Sequence, residues 1–176
     1  GSRAMRRITT DTLIAALLYM ASGYRTLVLT NTKALQTQYM QILAGTTGMV
    51  DVRGQVSYQC RLEPDLVVAD GACQGGYRCQ YKEGGCSYYD AVGQAGRSPL
   101  VVTNYAFHLT SLKSAERRLP NPLGEFDLLI CDEADVALSA LESYLTISLY
   151  RGSVRSLLRK ELPPINTEFA QLRSWA

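Results

Sequence analysis

Histidine and lysine are scarce in this 176-residue sequence, and no apolar run is long. His108 is the only histidine, and only four of the 18 basic residues are Lys. A His-rich metal site or a Ser-His-Asp triad would have to be built on His108, which fits an ordinary polar position on a helix. The apolar stretches break within about ten residues, short of the ~20 that span a bilayer. We therefore expect a soluble, cytoplasmic protein without membrane contact.

The composition is that of a globular chain. Hydrophobic residues make up 47% and charged residues 19% of the sequence, enough apolar surface for one compact domain with a small insertion. The formal net charge of +2 is too small to predict a nucleic-acid partner by itself, although most of the basic residues are Arg. Residues 1–4 precede Met5 and are typical of an expression tag.

Three segments repeat one pattern, a short apolar run rich in β-formers, a turn and a helical periodicity. Helices are predicted at 9–21, 33–43, 105–112 and 134–145, and strands at 25–30, 100–104 and 128–131. Strands that are apolar on both faces and separated by helices are typical of a buried parallel sheet. The sequence therefore predicts an α/β fold with helices on both faces of the sheet.

Residues 51–99 interrupt this pattern with eight glycines and four of the five cysteines. We predict that they form an insertion in a domain whose two parts are residues 1–50 and 100–148. Residues 149–176 form a predicted C-terminal extension, with a basic helix over 149–162 that Pro163 and Pro164 end.

The four cysteines of the insertion are the strongest candidates for a metal centre. Cys60, Cys73, Cys79 and Cys86 are separated by 12, 5 and 6 residues. In a reducing cytosol, clustered thiols among glycines favour metal ligation over disulfides. Structural zinc sites have two to four residues between paired cysteines, so the wider gaps favour a 4Fe-4S cluster, with zinc as the alternative. Cys131 lies in the third apolar strand, and we expect it to be buried there.

Aromatic and basic residues alternate in the same insertion, where five tyrosines accompany several arginines. Such side chains can stack bases and bind the phosphates of a single strand. They can equally well enclose a small subdomain that lacks a large core.

The third predicted strand ends in two acidic residues, Asp132 and Glu133. A carboxylate at the carboxyl edge of a parallel sheet is suitably placed for Mg²⁺ and nucleotide phosphates, as in a Walker B element. A solvated strand end is the other interpretation.

Four motifs stand in a fixed order along the chain: TNTKALQTQ at 30–38, GCSYYDA at 85–91, VVTNYA at 101–106 and DEAD at 132–135. In this order they resemble motifs of the DinG/XPD-type superfamily 2 DNA helicases, over roughly residues 9–150. DEAD is similar to the family's acidic box, and TNTKALQTQ to its first DNA-contacting motif. VVTNYA is similar to the segment that follows its iron–sulfur domain, and GCSYYDA to the last cluster cysteine followed by paired tyrosines.

The resemblance implies a RecA-like first motor domain, ATP and Mg²⁺ as ligands of the full-length enzyme, and single-stranded or forked DNA as partner. It implies that Asp132 binds the magnesium ion and that Glu133 polarises the attacking water. The residues expected to line the DNA path are Thr32, Lys33, Gln38, Arg53, Arg61, Arg78, Tyr88 and Tyr89.

Two departures from the family bear on activity. No Gly-Lys dipeptide is present, and residues 8–12, where a phosphate-binding loop should meet its helix, read ITTDT. Only 41 residues follow the acidic box here, and we expect them not to form the family's second RecA-like domain. We therefore expect the chain alone not to hydrolyse ATP. A non-catalytic module that binds single-stranded nucleic acid through a cluster or zinc domain is the alternative function.

Overall fold

The computed structural model describes residues 2–42, 48–116 and 121–146, together with residues 155, 156, 159 and 161. The chain divides into two compact units, Gly1–Tyr144 and Leu145–Ala176, and the fold described below is that of the first. Four residues of the predicted basic helix over 149–162 are described: Arg155 and Ser156 are helical, whereas Arg159 and Glu161 are not.

The described residues form five helices and a four-stranded sheet. In chain order the helices and strands are α1 (Ser2–Ala21), β1 (Thr26–Thr30), α2 (Lys33–Ile42), β2 (Met49–Asp51), α3 (Ser87–Ala95), β3 (Leu100–Asn104), α4 (Tyr105–Glu116), β4 (Leu128–Cys131) and α5 (Ala134–Leu145). Short 3-10 turns at 55–57, 68–70 and 72–75 are the regular structure between β2 and α3. The predicted α/β class, the three predicted strands and the helices beside them are confirmed.

The sheet is parallel throughout, with the strand order β2-β3-β1-β4. Val28 of β1 lies between Val102 of β3 and Ile130 of β4. All five residues of β1 are buried, as the uninterrupted apolar run predicts. The strand that the sequence did not predict is β2, whose three residues extend the sheet as far as Asp51.

Two hydrophobic clusters show which helices cover each face of the sheet. Leu13 of α1 and Tyr39 of α2 pack with Val28 on one face. Tyr105 of α4 packs with Leu27 and Leu29 on the other face, where α3 and α5 also contribute side chains. The predicted covering of both faces by helices is therefore confirmed. Full burial of each Leu or Val side chain stabilises such a core by about 1.5–3 kcal/mol.

The prediction that Cys131 is buried is wrong. In the described part of the chain β4 is an edge strand, and its residues alternate between half-buried and exposed. Leu129 is 48% exposed, and Cys131 is also exposed. The residues that α5 packs on this face are the small Ala137 and Ala140, which leave the outer part of the strand uncovered.

One arginine at the start of β1 ties the sheet to two distant loops. The Arg25 guanidinium lies 4.5 Å from the centre of the Phe126 ring. It donates hydrogen bonds to the main-chain carbonyls of Ala95, Ser98, Leu123 and Glu125. Gly124 makes room for this arrangement, because it has a φ of 72° and a Cβ atom there would lie 2.8 Å from Nη1.

We expect Arg25→Lys to lower the free energy of unfolding by about 2–3 kcal/mol, because an ammonium group cannot reach carbonyls on both loops and leaves some of them without a donor. Urea denaturation followed by circular dichroism measures the loss. The matched control is Arg97→Lys, at an exposed position, which should change the stability by no more than about 0.5 kcal/mol. Equal small losses in the two variants would contradict the role assigned to Arg25.

Candidate functional site at the carboxyl edge of the sheet

Thr32 and Lys33 after β1, and Asp132 and Glu133 after β4, are predicted site residues that lie at one edge of the sheet, together with Asn104 of β3. Lys33 begins α2 just after β1, and the hydroxyl of Thr32 accepts a hydrogen bond from the Leu35 N–H over 3.2 Å. Asn104 ends β3 and caps α4 by accepting a hydrogen bond from the Phe107 N–H over 2.8 Å. These caps set the direction in which each helix leaves its strand.

The helices that follow β1 and β3 leave on opposite faces, although the two strands are neighbours. In open parallel sheets a crevice forms at such a point, and ligands bind there. A cavity of about 470 Å³ lies at this point, here called the switch-point cavity. Its lining residues include Lys33, Val56, Tyr88, Asn104 and Phe107. Lys33 and Tyr88 were both predicted to line a DNA path, and the fold brings them together.

Asp132 is 5% exposed and is held by three donors around the end of β4. The Tyr39 hydroxyl donates to Oδ2 over 2.5 Å, and the Glu133 N–H donates to Oδ1 over 3.1 Å. The Tyr105 hydroxyl donates to the main-chain carbonyl of Asp132 over 2.8 Å. Burial, and to a lesser extent the adjacent Asp132 carboxylate, raises the pKa of Tyr39 far above its usual range. The phenol therefore stays a donor at neutral pH.

Tyr39 was missed as a site residue because its helical spacing predicts only a core position. Its side chain is fully buried and contributes to the hydrophobic cluster under the sheet, while its hydroxyl reaches Asp132 from α2. No sequence signal links residues 39 and 132.

Glu133 has a left-handed backbone with a φ of 55°. A non-glycine residue in this conformation costs about 1–2 kcal/mol, a strain often found at functional sites. The turn follows the buried Asp132 and is closed by a hydrogen bond from the Val136 N–H to the Glu133 carbonyl. The strand end is therefore a fixed turn with a half-buried Glu133 beside Asp132.

The insertion places its cysteines in two environments. Cys60 and Cys86 are buried, whereas Cys73 and Cys79 are half-buried and line a cavity of about 800 Å³. Arg78, Lys82 and Tyr89 line the same cavity. Burial raises the pKa of Tyr89, and the nearby Cys73 and Cys86 raise it further. None of the five cysteines is in a disulfide.

Zinc and an iron–sulfur cluster require different distances between the four thiols. Tetrahedral zinc with Zn–S bonds of about 2.3 Å needs four thiolates about 3.8 Å apart. Among the described residues, which include all four cysteines, no three His, Cys, Asp or Glu side chains form a group that could hold a metal ion. Thiolates on the corners of an iron–sulfur cube stand further apart, and the cavity lined by Cys73 and Cys79 has room for such a group. The convergence of all four sulfurs on one centre stays a prediction.

Close packing occurs around Cys60. A Cβ atom on Gly71 would lie 3.1 Å from the Cys60 sulfur. The Cys60 N–H donates to the Leu66 carbonyl over 2.8 Å, which fixes the chain on that side of the insertion. A larger residue at position 71 would therefore force the Cys60 thiol or the backbone beside it to shift by a few tenths of an ångström.

Two of the predicted DNA-contacting arginines are engaged within the protein. The Arg53 guanidinium lies 2.7 Å from the Asp51 carboxylate and donates to the Thr37 hydroxyl over 3.0 Å. The Arg61 guanidinium donates to the Gly85 carbonyl over 3.0 Å and lies 4.9 Å from the centre of the Tyr81 ring. These contacts stabilise the insertion and the end of β2.

The other predicted contacts differ in exposure. Arg78, Thr32 and Lys33 are exposed, whereas Gln38 is half-buried. The rings of Tyr88 and Tyr89 are 5.0 Å apart and meet edge to face. Lys33 and Tyr88 therefore share one cavity, and Arg78 and Tyr89 share the other.

A buried amide network joins the sheet to the start of the insertion. The fully buried Gln36 donates from Nε2 to the Val52 carbonyl over 3.1 Å and accepts from Asn104 Nδ2 over 3.4 Å. The Thr103 hydroxyl donates to the same Val52 carbonyl over 2.7 Å. This network positions one wall of the switch-point cavity, and no local sequence pattern indicates it.

His108 is half-buried on α4, and burial lowers its pKa. The predicted ordinary position on a helix agrees with this placement. His108 is not among the lining residues of either cavity.

Comparisons of the chain with protein-family models, with curated proteins and with solved structures found no match. Within the described residues, no helix combines the length and the apolar character needed to cross a membrane.

We expect Tyr39→Phe to lower the free energy of unfolding by about 1–3 kcal/mol, because the buried Asp132 carboxylate loses its side-chain donor. Chemical denaturation at neutral pH measures the difference from the parent protein. Tyr24→Phe is the control, since it removes a hydroxyl from a residue that is 49% exposed. A loss no larger in Tyr39→Phe than in Tyr24→Phe would show that the carboxylate does not depend on the phenol.

Proposed function

We propose that this chain is part of an ATP-dependent DNA helicase of the DinG/XPD type, with a RecA-like first motor domain and a 4Fe-4S domain that aids strand separation. The supporting observation is the shared edge of the parallel sheet. The motif-bearing ends of β1, β3 and β4 lie there, and the four-cysteine insertion lies between β2 and β3. The order and the placement of these motifs both agree with the resemblance.

Asp132 and Glu133 have the chemistry for the nucleotide end of this site. Both Asp132 oxygens accept hydrogen bonds and each retains a lone pair, so the carboxylate can hold a magnesium ion, directly or through water. Bound Mg²⁺ would supply Lewis-acid stabilisation of the phosphates of ATP. The role of Tyr39 is to fix the carboxylate, and that of Glu133 is to orient water.

Cys60, Cys73, Cys79 and Cys86 are the residues that would hold the cluster. When bound, it would cross-link segments of an insertion whose regular structure before α3 is limited to short turns. Arg78 and Lys82 beside Cys73 and Cys79 would offset the negative charge of the thiolates.

A specific observation favours the second candidate, a single-strand-binding module without catalysis. Residues 8–12, where a glycine-rich loop would have to meet its helix, lie within the unbroken helix α1. Main-chain N–H groups inside a helix are engaged and cannot cradle phosphates. Phosphate release from ATP separates the two candidates in one direction. Turnover that is lost in Glu133→Gln would exclude a module without catalysis, whereas background turnover is expected of both, because this chain lacks the Gly-Lys loop.

The cluster prediction is tested on protein purified without oxygen. We expect about four iron and four sulfide ions per chain with the visible absorption of a cluster, and loss of both in Cys86→Ser. Cys131→Ser is the matched control, because Cys131 is exposed on β4, and it should retain the iron. One zinc ion per chain would assign the alternative metal. Metal-free protein with five titratable thiols would contradict ligation.

Strand binding is tested by the fluorescence anisotropy of a labelled single-stranded oligonucleotide at low and moderate salt. With a net charge of +2 we expect weak binding whose affinity falls as salt rises. Arg78→Ala should weaken binding and reduce the salt dependence, and Tyr89→Ala should cost about 1–3 kcal/mol of stacking. An absence of binding even at low salt, in protein with its cluster intact, would contradict the proposal.

A further inference from the structure

We propose that the switch-point cavity takes one unstacked nucleobase together with its adjoining phosphate from a bound single strand. The inference rests on the proposed function in that it needs the chain to bind single-stranded nucleic acid. It adds a specific site, whose walls include Val56, Asn104 and Phe107, three residues that the sequence did not connect with a ligand.

The switch-point cavity lies at the edge of the sheet where ligands are expected to bind. It lies where β1 and β3 end side by side and their helices diverge, which is where ligands bind in open parallel sheets. Its lining comes from the start of α2, the insertion and the start of α4. At about 470 Å³ it falls within the ~300–1,000 Å³ typical of small-ligand sites.

The walls are apolar and rigid, which suits a flat base. The Tyr88 ring meets the rings of Tyr58 at 5.6 Å and Phe107 at 6.5 Å, and its hydroxyl is hydrogen-bonded by the Gln55 side chain. Rings that are fixed before binding lose little conformational freedom when a ligand arrives. Val56 is 58% exposed, so a base in the cavity would cover apolar surface that now faces water.

The polar groups of the cavity are donors, which suits the acceptor-rich edge of a base and a phosphate. The Lys33 ammonium is exposed and, within the described residues, has no carboxylate within 4 Å. Asn104 uses one N–H of its side-chain amide on Gln36, which leaves the second N–H for an acceptor. Lys33 can therefore bind a phosphate while Asn104 donates to the base.

The inference is tested with two labelled oligonucleotides of equal length and charge, one a thymidine strand and the other carrying abasic sites at its centre. We expect the parent protein to bind the thymidine strand about tenfold more tightly, because the abasic strand keeps the phosphates but offers no base. Fluorescence anisotropy at low salt gives both affinities.

Three substitutions locate the effect. Phe107→Leu keeps apolar volume against the sheet but removes the flat face, so it should reduce thymidine binding to the abasic level and leave abasic binding unchanged. Val56→Ser tests the same wall at an exposed position where folding is not at risk. Lys33→Gln should lower the affinity for the thymidine strand and for the abasic strand by the same factor, because both strands keep their phosphates. Tyr24→Leu, at an exposed ring outside the cavity, should change neither affinity.

The outcomes separate this inference from the proposed function. If the parent binds neither strand, the proposed function fails and the inference fails with it. If the parent binds both strands equally, or if Phe107→Leu and Val56→Ser leave the tenfold difference intact, the cavity does not take a base although the strand is bound. Free thymidine monophosphate is titrated in the same way. If Phe107→Leu and Val56→Ser weaken its binding but leave the binding of both strands unchanged, the cavity is a mononucleotide site and the strand proposal is wrong.

Discussion

The parallel register of β1 with both of its neighbours is the constraint on which the candidate site depends. Because β1 pairs with β3 and β4 in the same direction, the three carboxyl ends must meet at one edge of the sheet. Lys33, Asn104 and Asp132 are more than 25 residues apart in sequence, yet the hydrogen-bond ladders bring them to this edge. Arg25 supports the opposite end of β1, where its guanidinium holds the loops that lead into β3 and β4.

The regular part of this fold could be predicted from the sequence because its signals are local. The alternation of apolar runs and helical periodicity located three strands, and the bounds of α5 agree with the predicted 134–145. The three residues of β2 form too short a run for a periodicity to appear. The exposure of Cys131 depends on the strand order and on the small side chains of α5, and neither can be read from the apolar run that contains it.

The site was predictable only where a motif identified it. Asp132 and Glu133 follow a strand as their motif implies, and Lys33 and Tyr88 meet in one cavity. The contacts that fix these residues depend on long-range packing. The Tyr39 hydroxyl reaches Asp132 across 93 positions of the sequence, and the guanidinium group of Arg53 is engaged by Asp51 and Thr37. Local patterns carry no information about such partners.

The exposed thiol of Cys131 has a practical consequence for following chemistry at the edge of the sheet. It is the residue immediately before Asp132. Burial raises the pKa of Tyr105, and the adjacent Cys131 thiol raises it further. If the four cysteines of the insertion are occupied by a cluster, Cys131 remains the accessible nucleophile for a maleimide. A spin label or fluorophore attached there would stand next to the acidic turn without the introduction of a new cysteine. Its signal would show whether a cation or nucleotide binds at this edge.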